Sequence, residues 1–171
     1  MKKIFVAALL CITHCCFADE PPFSEAILNY TQNNLPNSGT LKTGNGFVYV
    51  DVDDKYVHDL IPFIEKSGYQ KPPYFGESDL VGAHITVIYP DEMKKYNLDQ
   101  ISESGKTIHF DPIECKLITP PNWKEIDKVY CIVVNSPQLD EIREKYGLPI
   151  REYRFHITCL LYTSDAADER S

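Results

Sequence analysis

Four apolar stretches of this chain are rich in β-branched or aromatic residues, and polar positions interrupt all but the third. They are Phe47–Val52, His84–Ile88, Val129–Val134 and Phe155–Leu161, and each predicts a strand. Helical signals separate them in pairs. After the first strand, Asp53 is placed to cap a helix carrying Val57, Leu60, Ile61 and Ile64 and stopped by Gly68; Pro62 implies a kink or a late start near Leu60. After the third, Ser136 and Pro137 open a helix with Leu139, Ile142 and Tyr146 as its buried stripe, and Gly147 and Pro149 close it. Strand, helix and strand therefore occur twice in the same order.

Weaker signals fill in the rest. Phe23 to Tyr30 reads as a short amphipathic helix, followed by an Asn/Pro/Ser/Gly loop ending at Gly44-Asn45-Gly46. Tyr69 to Gly82 reads as a loop. Thr107–Phe110 and Cys115–Ile118 read as short extra strands, with Pro120-Pro121-Asn122 as a turn.

The second strand of each repeat carries the same tripeptide, His84-Ile85-Thr86 and His156-Ile157-Thr158. Alternation puts His84, Thr86 and Ile88 on one face with Ile85, Val87 and Tyr89 behind them. Likewise His156, Thr158 and Leu160 face one way, and Ile157, Cys159 and Leu161 the other. A duplicated unit with approximate two-fold symmetry would bring both histidines to one cleft, so their distance in sequence is no obstacle.

Imidazole, with an unperturbed pKa of ~6.5, both gives and takes a proton near neutrality. Two of them facing one phosphorus atom supply a general base for the attacking water and a general acid for the leaving oxygen. The two threonine hydroxyls are placed to hydrogen-bond non-bridging phosphate oxygens. This chemistry asks for no metal or cofactor. A zinc site lacks an obvious third ligand, and the alternating histidines of the histidine-triad hydrolases are absent.

These paired His-x-Thr strands in a strand-helix-strand repeat resemble the two-histidine (2H) phosphoesterase superfamily, of the cyclic phosphodiesterase and RNA-end-processing type, from Gly46 to Tyr162. The resemblance implies a bilobal α+β fold whose antiparallel sheets line a central cleft. It also implies catalytic His84 and His156, phosphate-binding Thr86 and Thr158, and cleavage of 2′,3′-cyclic phosphates or related nucleotide phosphodiesters. Tyr153 and Arg154, just before the second motif, and Tyr162, with the parity of His156, are further candidate substrate contacts. His58 and His109 read as solvated or packed residues. The alternative function is a secreted, non-catalytic module that binds a nucleotide or a protein in the same cleft.

Composition narrows the setting. Lys2 and Lys3, an apolar run from Ile4 to Cys16 too short to span a bilayer, and the exit Cys16-Phe17-Ala18 read as a signal peptide over residues 1–18, hence an exported, periplasmic or secreted, protein without a membrane anchor. Without that segment 15 basic and 25 acidic side chains remain, a formal charge of −10. That argues against long nucleic acids and for a small nucleotide or an RNA end as partner. A monomer is expected, with residues 19–45 as an N-terminal helix and loop, 46–162 as the two-lobed domain, and 163–171 as an unpacked or foreign tail. Cys115, Cys131 and Cys159 remain, an odd number, and read as buried thiols.

Overall fold

The computed structural model describes residues 23–64, 69–70, 81–119, 128–151 and 153–162, with backbone alone at 69–70 and 160–162. The expected leader, the Pro120-Pro121 turn and the tail after Tyr162 lie outside the described residues. Thirteen elements follow one another within them. Helix α1 (Ser24–Asn34) leads into β1 (Ser38–Gly44) and β2 (Phe47–Asp51). Then come α2 (Lys55–His58), α3 (Ile61–Ile64), β3 (Tyr69–Gln70), β4 (His84–Ile88) and α4 (Pro90–Lys95). β5 (Thr107–His109), β6 (Asp111–Ile118), β7 (Lys128–Asn135), α5 (Pro137–Lys145) and β8 (His156–Tyr162) complete the order.

The fold is α+β, with one antiparallel sheet curled around a concave face. Its strand order is β5-β1-β2-β4-β8-β7-β6, and β3 pairs with the far end of β8. The two expected lobes are two halves of this single sheet. They join where the motif strands meet, through the pairing of Ile85 with Ile157. Both side chains are fully buried, each worth roughly 1.5–3 kcal/mol of apolar burial.

The strands obey the expected alternation for a reason visible in the core. Val48, Val50, Ile85, Ile132, Val134 and Ile157 all point into one apolar cluster with Leu41, Tyr56, Leu60 and Leu139. Helices α2, α3 and α5 bring buried residues to that same cluster. The residues between them on the motif strands and their neighbours therefore face away from it, onto the concave side.

Four local expectations are corrected. The loop expected before Gly44 is strand β1, held by Leu41 against Val50 and by β5 on its outer edge; one buried residue among polar neighbours gives too little alternation to read. The single helix after Asp53 is two, because Pro62 starts a second one. Ser136 does not cap α5; its hydroxyl donates to the His109 carbonyl at 2.7 Å. Tyr89 does not pack in the core. β4 ends at Ile88, and Tyr89 turns outward as the N-cap of α4, whose Glu92 carboxylate accepts its backbone N–H.

Candidate functional site

The two motif strands carry matching irregularities. Along β2 and β4 the partners run Asp51 with His84, Val50 with Ile85, Tyr49 with Thr86, and then Val48 with Ile88, so Val87 is an extra residue. Along β7 and β8 they run Val133 with His156, Ile132 with Ile157, Cys131 with Thr158, and then Tyr130 with Leu160, so Cys159 is extra. Each His-Ile-Thr is thus followed at once by a β-bulge, which bends its strand beside the site. The bulge also explains why Ile88 is buried although strict alternation would put it with His84. The duplication read from the sequence is therefore repeated in pairing and in defect.

Register then brings the motifs together. Ile85 sits opposite Ile157. The same antiparallel register, extended by one residue, sets His84 across from Thr158 and Thr86 across from His156. Side chains flanking a buried pair point to the other face, so both imidazoles and both threonines lie on the concave face. The histidines are diagonal neighbours, a spacing of about 7–8 Å between backbones. They are close enough for the charge of His84 to disfavour a proton on His156.

Each ring is oriented in the same way. His84 Nδ1 lies 2.8 Å from the Gly82 carbonyl oxygen, and His156 Nδ1 lies 3.0 Å from that of Arg154. A carbonyl only accepts, so Nδ1 is the donor in both rings and the lone pair of each neutral imidazole sits on Nε2. Gly82 is suited to this place by a φ of +71°, and a Cβ there would come within 2.6 Å of Asp54 Oδ1. That Asp54 oxygen accepts the Ala83 N–H at 2.9 Å, fixing the turn that presents the Gly82 carbonyl.

The electrostatic surroundings differ. Burial pushes both imidazoles below their ordinary value, and the carbonyl bonds oppose it. On His84 the Asp51 carboxylate, directly across the strands, also favours the proton. Asp51 is itself held by Lys42 Nζ at 2.6 Å from β1. On His156 the neighbouring charge is the Arg151 guanidinium, which disfavours the proton.

Phe47 and Tyr49 complete the His84 side. Their rings stack at 4.8 Å and stand edge-on to the imidazole, with centroids 5.9 and 6.0 Å away. The matching positions on the His156 side are Val129 and Cys131, a small apolar pair. The Cys131 thiol hydrogen-bonds Thr158, and burial pushes it up to about 12, so it stays protonated. Cys115, Cys131 and Cys159 are all buried free thiols.

Of the other sequence candidates, Tyr153 is 63% exposed. Arg154 lies on the rim, its Nη1 4.0 Å from Glu114 Oε2, and serves His156 through its carbonyl. The strand does reach Tyr162, whose side chain lies outside the described residues. Asp51, Phe47, Tyr49 and Arg151 were not among the sequence candidates. Alternation against buried Val48 and Val50 would have found the first three; Arg151, in a connection, carries no periodic signal. Among the described residues no three His, Cys, Asp or Glu side chains gather as a metal site.

Residues 48–166 match the Swiss Army Knife 2H phosphoesterase domain. No curated protein and no solved structure matches the chain. The matched span takes in both bulged His-Ile-Thr strands and their partners β2 and β7, so the chain belongs to the 2H phosphoesterase superfamily, whose chemistry is hydrolysis of phosphoesters.

Proposed function

We propose that this protein is a metal-independent phosphodiesterase that opens 2′,3′-cyclic phosphates, or closely related phosphodiesters, on small nucleotides and RNA ends. The observation that carries the reading is the interleaved quartet: each histidine faces the other motif's threonine on one concave surface, with both lone pairs on Nε2. His156, next to a cation and across from apolar Val133, takes the role of general base. His84, across from Asp51, takes the role of general acid.

In the reaction His156 removes a proton from water as its oxygen bonds to phosphorus. The bond from phosphorus to the 2′- or 3′-oxygen breaks, and that oxygen receives the proton of His84, leaving a phosphomonoester. Thr86 and Thr158 donate to the non-bridging oxygens as charge builds on them. The stacked Phe47 and Tyr49 offer a face for the base of a nucleotide. The leader-like residues 1–18 support action outside the cytoplasm.

The test is incubation of the protein in EDTA with a panel of 2′,3′-cyclic nucleotides and cyclic-phosphate-ended oligonucleotides, beside His84→Ala and His156→Ala. Monoester formation that either substitution abolishes is expected. Nucleotide binding with no product from any member of the panel would identify a non-catalytic module instead.

A further inference from the structure

The two arginines beside the motif strands are treated in opposite ways by the fold. Arg143, on α5, is saturated: Nη1 donates to the Val87 carbonyl at 2.8 Å and to Glu92 Oε2 at 3.0 Å, while Nη2 donates to Glu92 Oε1 at 2.7 Å and to the Pro149 carbonyl at 3.0 Å. Its Nε alone goes unmatched. Both Glu92 oxygens are thereby committed. Arg151 is left with rings: its guanidinium carbon is 3.9 Å from the Phe155 centroid and 5.9 Å from that of Tyr89, whose hydroxyl takes a hydrogen bond. Its Nη1 is buried and has no acceptor among the described residues.

A guanidinium seated over an aromatic face, short of an acceptor and with no carboxylate of its own among the described residues, is suited to receive an anion. Its location says which anion. Phe155 immediately precedes His156, and Tyr89 follows Thr86 by three residues, so both rings mark the end of the motif strands where Thr86 and His156 face each other. The Arg151 charge is felt at the His156 ring.

We propose that Arg151 is a phosphate-binding residue of this site, donating to an anionic oxygen of the substrate phosphoryl group at its His156 end. The inference rests on the phosphodiesterase reading of the cleft, but inorganic phosphate probes it without any turnover. Tyr89 acts as a positioning residue, holding the guanidinium fork in orientation from the N-cap of α4.

The experiment is phosphate titration of the full chain, followed by calorimetry and by the His156 ring resonances. The wild type is compared with Arg151→Met, Arg151→Lys, Tyr89→Phe and, as a cation outside the site, Lys116→Met on β6. Expected are phosphate-dependent shifts at His156, an affinity loss of roughly 10- to 100-fold in Arg151→Met, and partial recovery in Arg151→Lys. Lys116→Met should stay near wild type. Unchanged affinity in Arg151→Met, a wild type that does not bind phosphate, or binding that leaves His156 unmoved each overturns the inference. Should Arg151→Met fail to fold, the ratio between Arg151→Lys and wild type decides, with no loss of affinity counting against. Arg151-dependent phosphate binding in a protein that hydrolyses no diester would sink the phosphodiesterase reading and leave this one standing.

Discussion

The half of the concave face that holds His84 and the half that holds His156 are built on one plan and furnished differently. Both present a histidine tethered through Nδ1 to the carbonyl two residues upstream, both place a threonine two residues on, and both break register at the next position. Across from the histidine, one half has Asp51 and the other Val133. Across from the threonine, one has Tyr49 and the other Cys131. Geometry is shared because the motif strands carry it; the charges around each ring differ because the neighbouring strands and connections carry those. That difference suits the proposed reaction, in which one imidazole must start charged and the other neutral.

The comparison breaks most completely if either histidine proves dispensable. His84→Ala and His156→Ala should each cost about 10²–10⁴ in kcat/KM towards a cyclic nucleotide, and the double variant should be hardly worse than either. A single variant that keeps near-full rate would mean that only one half works.

A second strong effect concerns what holds the two halves in place. Arg143 is 4% exposed and bridges from α5 in the second repeat to Val87 and Glu92 beyond the first motif. Its hydrogen bonds, and then its charge, hold the Glu92 carboxyl below the usual carboxylate range. Arg143→Met leaves that carboxylate unpaired and should lower unfolding stability by about 3–5 kcal/mol, read from the urea midpoint. An unmoved midpoint would show the bridge to be decoration.

The threonines should matter less than the histidines and about equally to each other. Thr86→Val and Thr158→Val each remove one donor to phosphate, worth on the order of tenfold in kcat/KM. A large disparity between them would show that the substrate sits off the pseudo-two-fold axis.

The finest test is pH. Both imidazoles are depressed below 6.5, chiefly by burial, so a bell-shaped kcat/KM profile should peak on the acid side of that value. The unfolded chain binds protons there that the folded protein excludes, so stability should also fall as pH drops through this window. Asp51→Asn should lower the proton affinity of His84, and Val133→Asp should raise that of His156. NMR titration of the two rings reads both, and a ring that fails to respond to the change across from it would erase the assigned difference.

Much of this arrangement was legible beforehand, and for identifiable reasons. A strand advertises its faces through alternation, so His84, Thr86, His156 and Thr158 could be placed on common faces, and the repeated strand-helix-strand order suggested their meeting. A bulge leaves no such mark. Val87 and Cys159 look like any other apolar strand residue, and the burial of Ile88 follows from pairing with a partner far away in sequence. Strand β1 escaped because it buries mainly Leu41 among Thr40, Lys42 and Thr43. Helix α4 could have been found, since Tyr89-Pro90-Asp91-Glu92 has proline at the first helical position and an acid at the third. Arg151 owes its place to tertiary packing on Phe155 and Tyr89, which no local pattern encodes.

The paired bulges restrict how this sequence can drift. Removing Val87 would leave Ile88 opposite Val48 in regular pairing, and removing Cys159 would likewise close the register of its strand, but each deletion would take away the bend that the bulge makes beside the site. Substitutions are absorbed at these two positions far more easily than deletions. The spacing that the two repeats share is therefore the one from each histidine to its bulge, His84 to Val87 and His156 to Cys159.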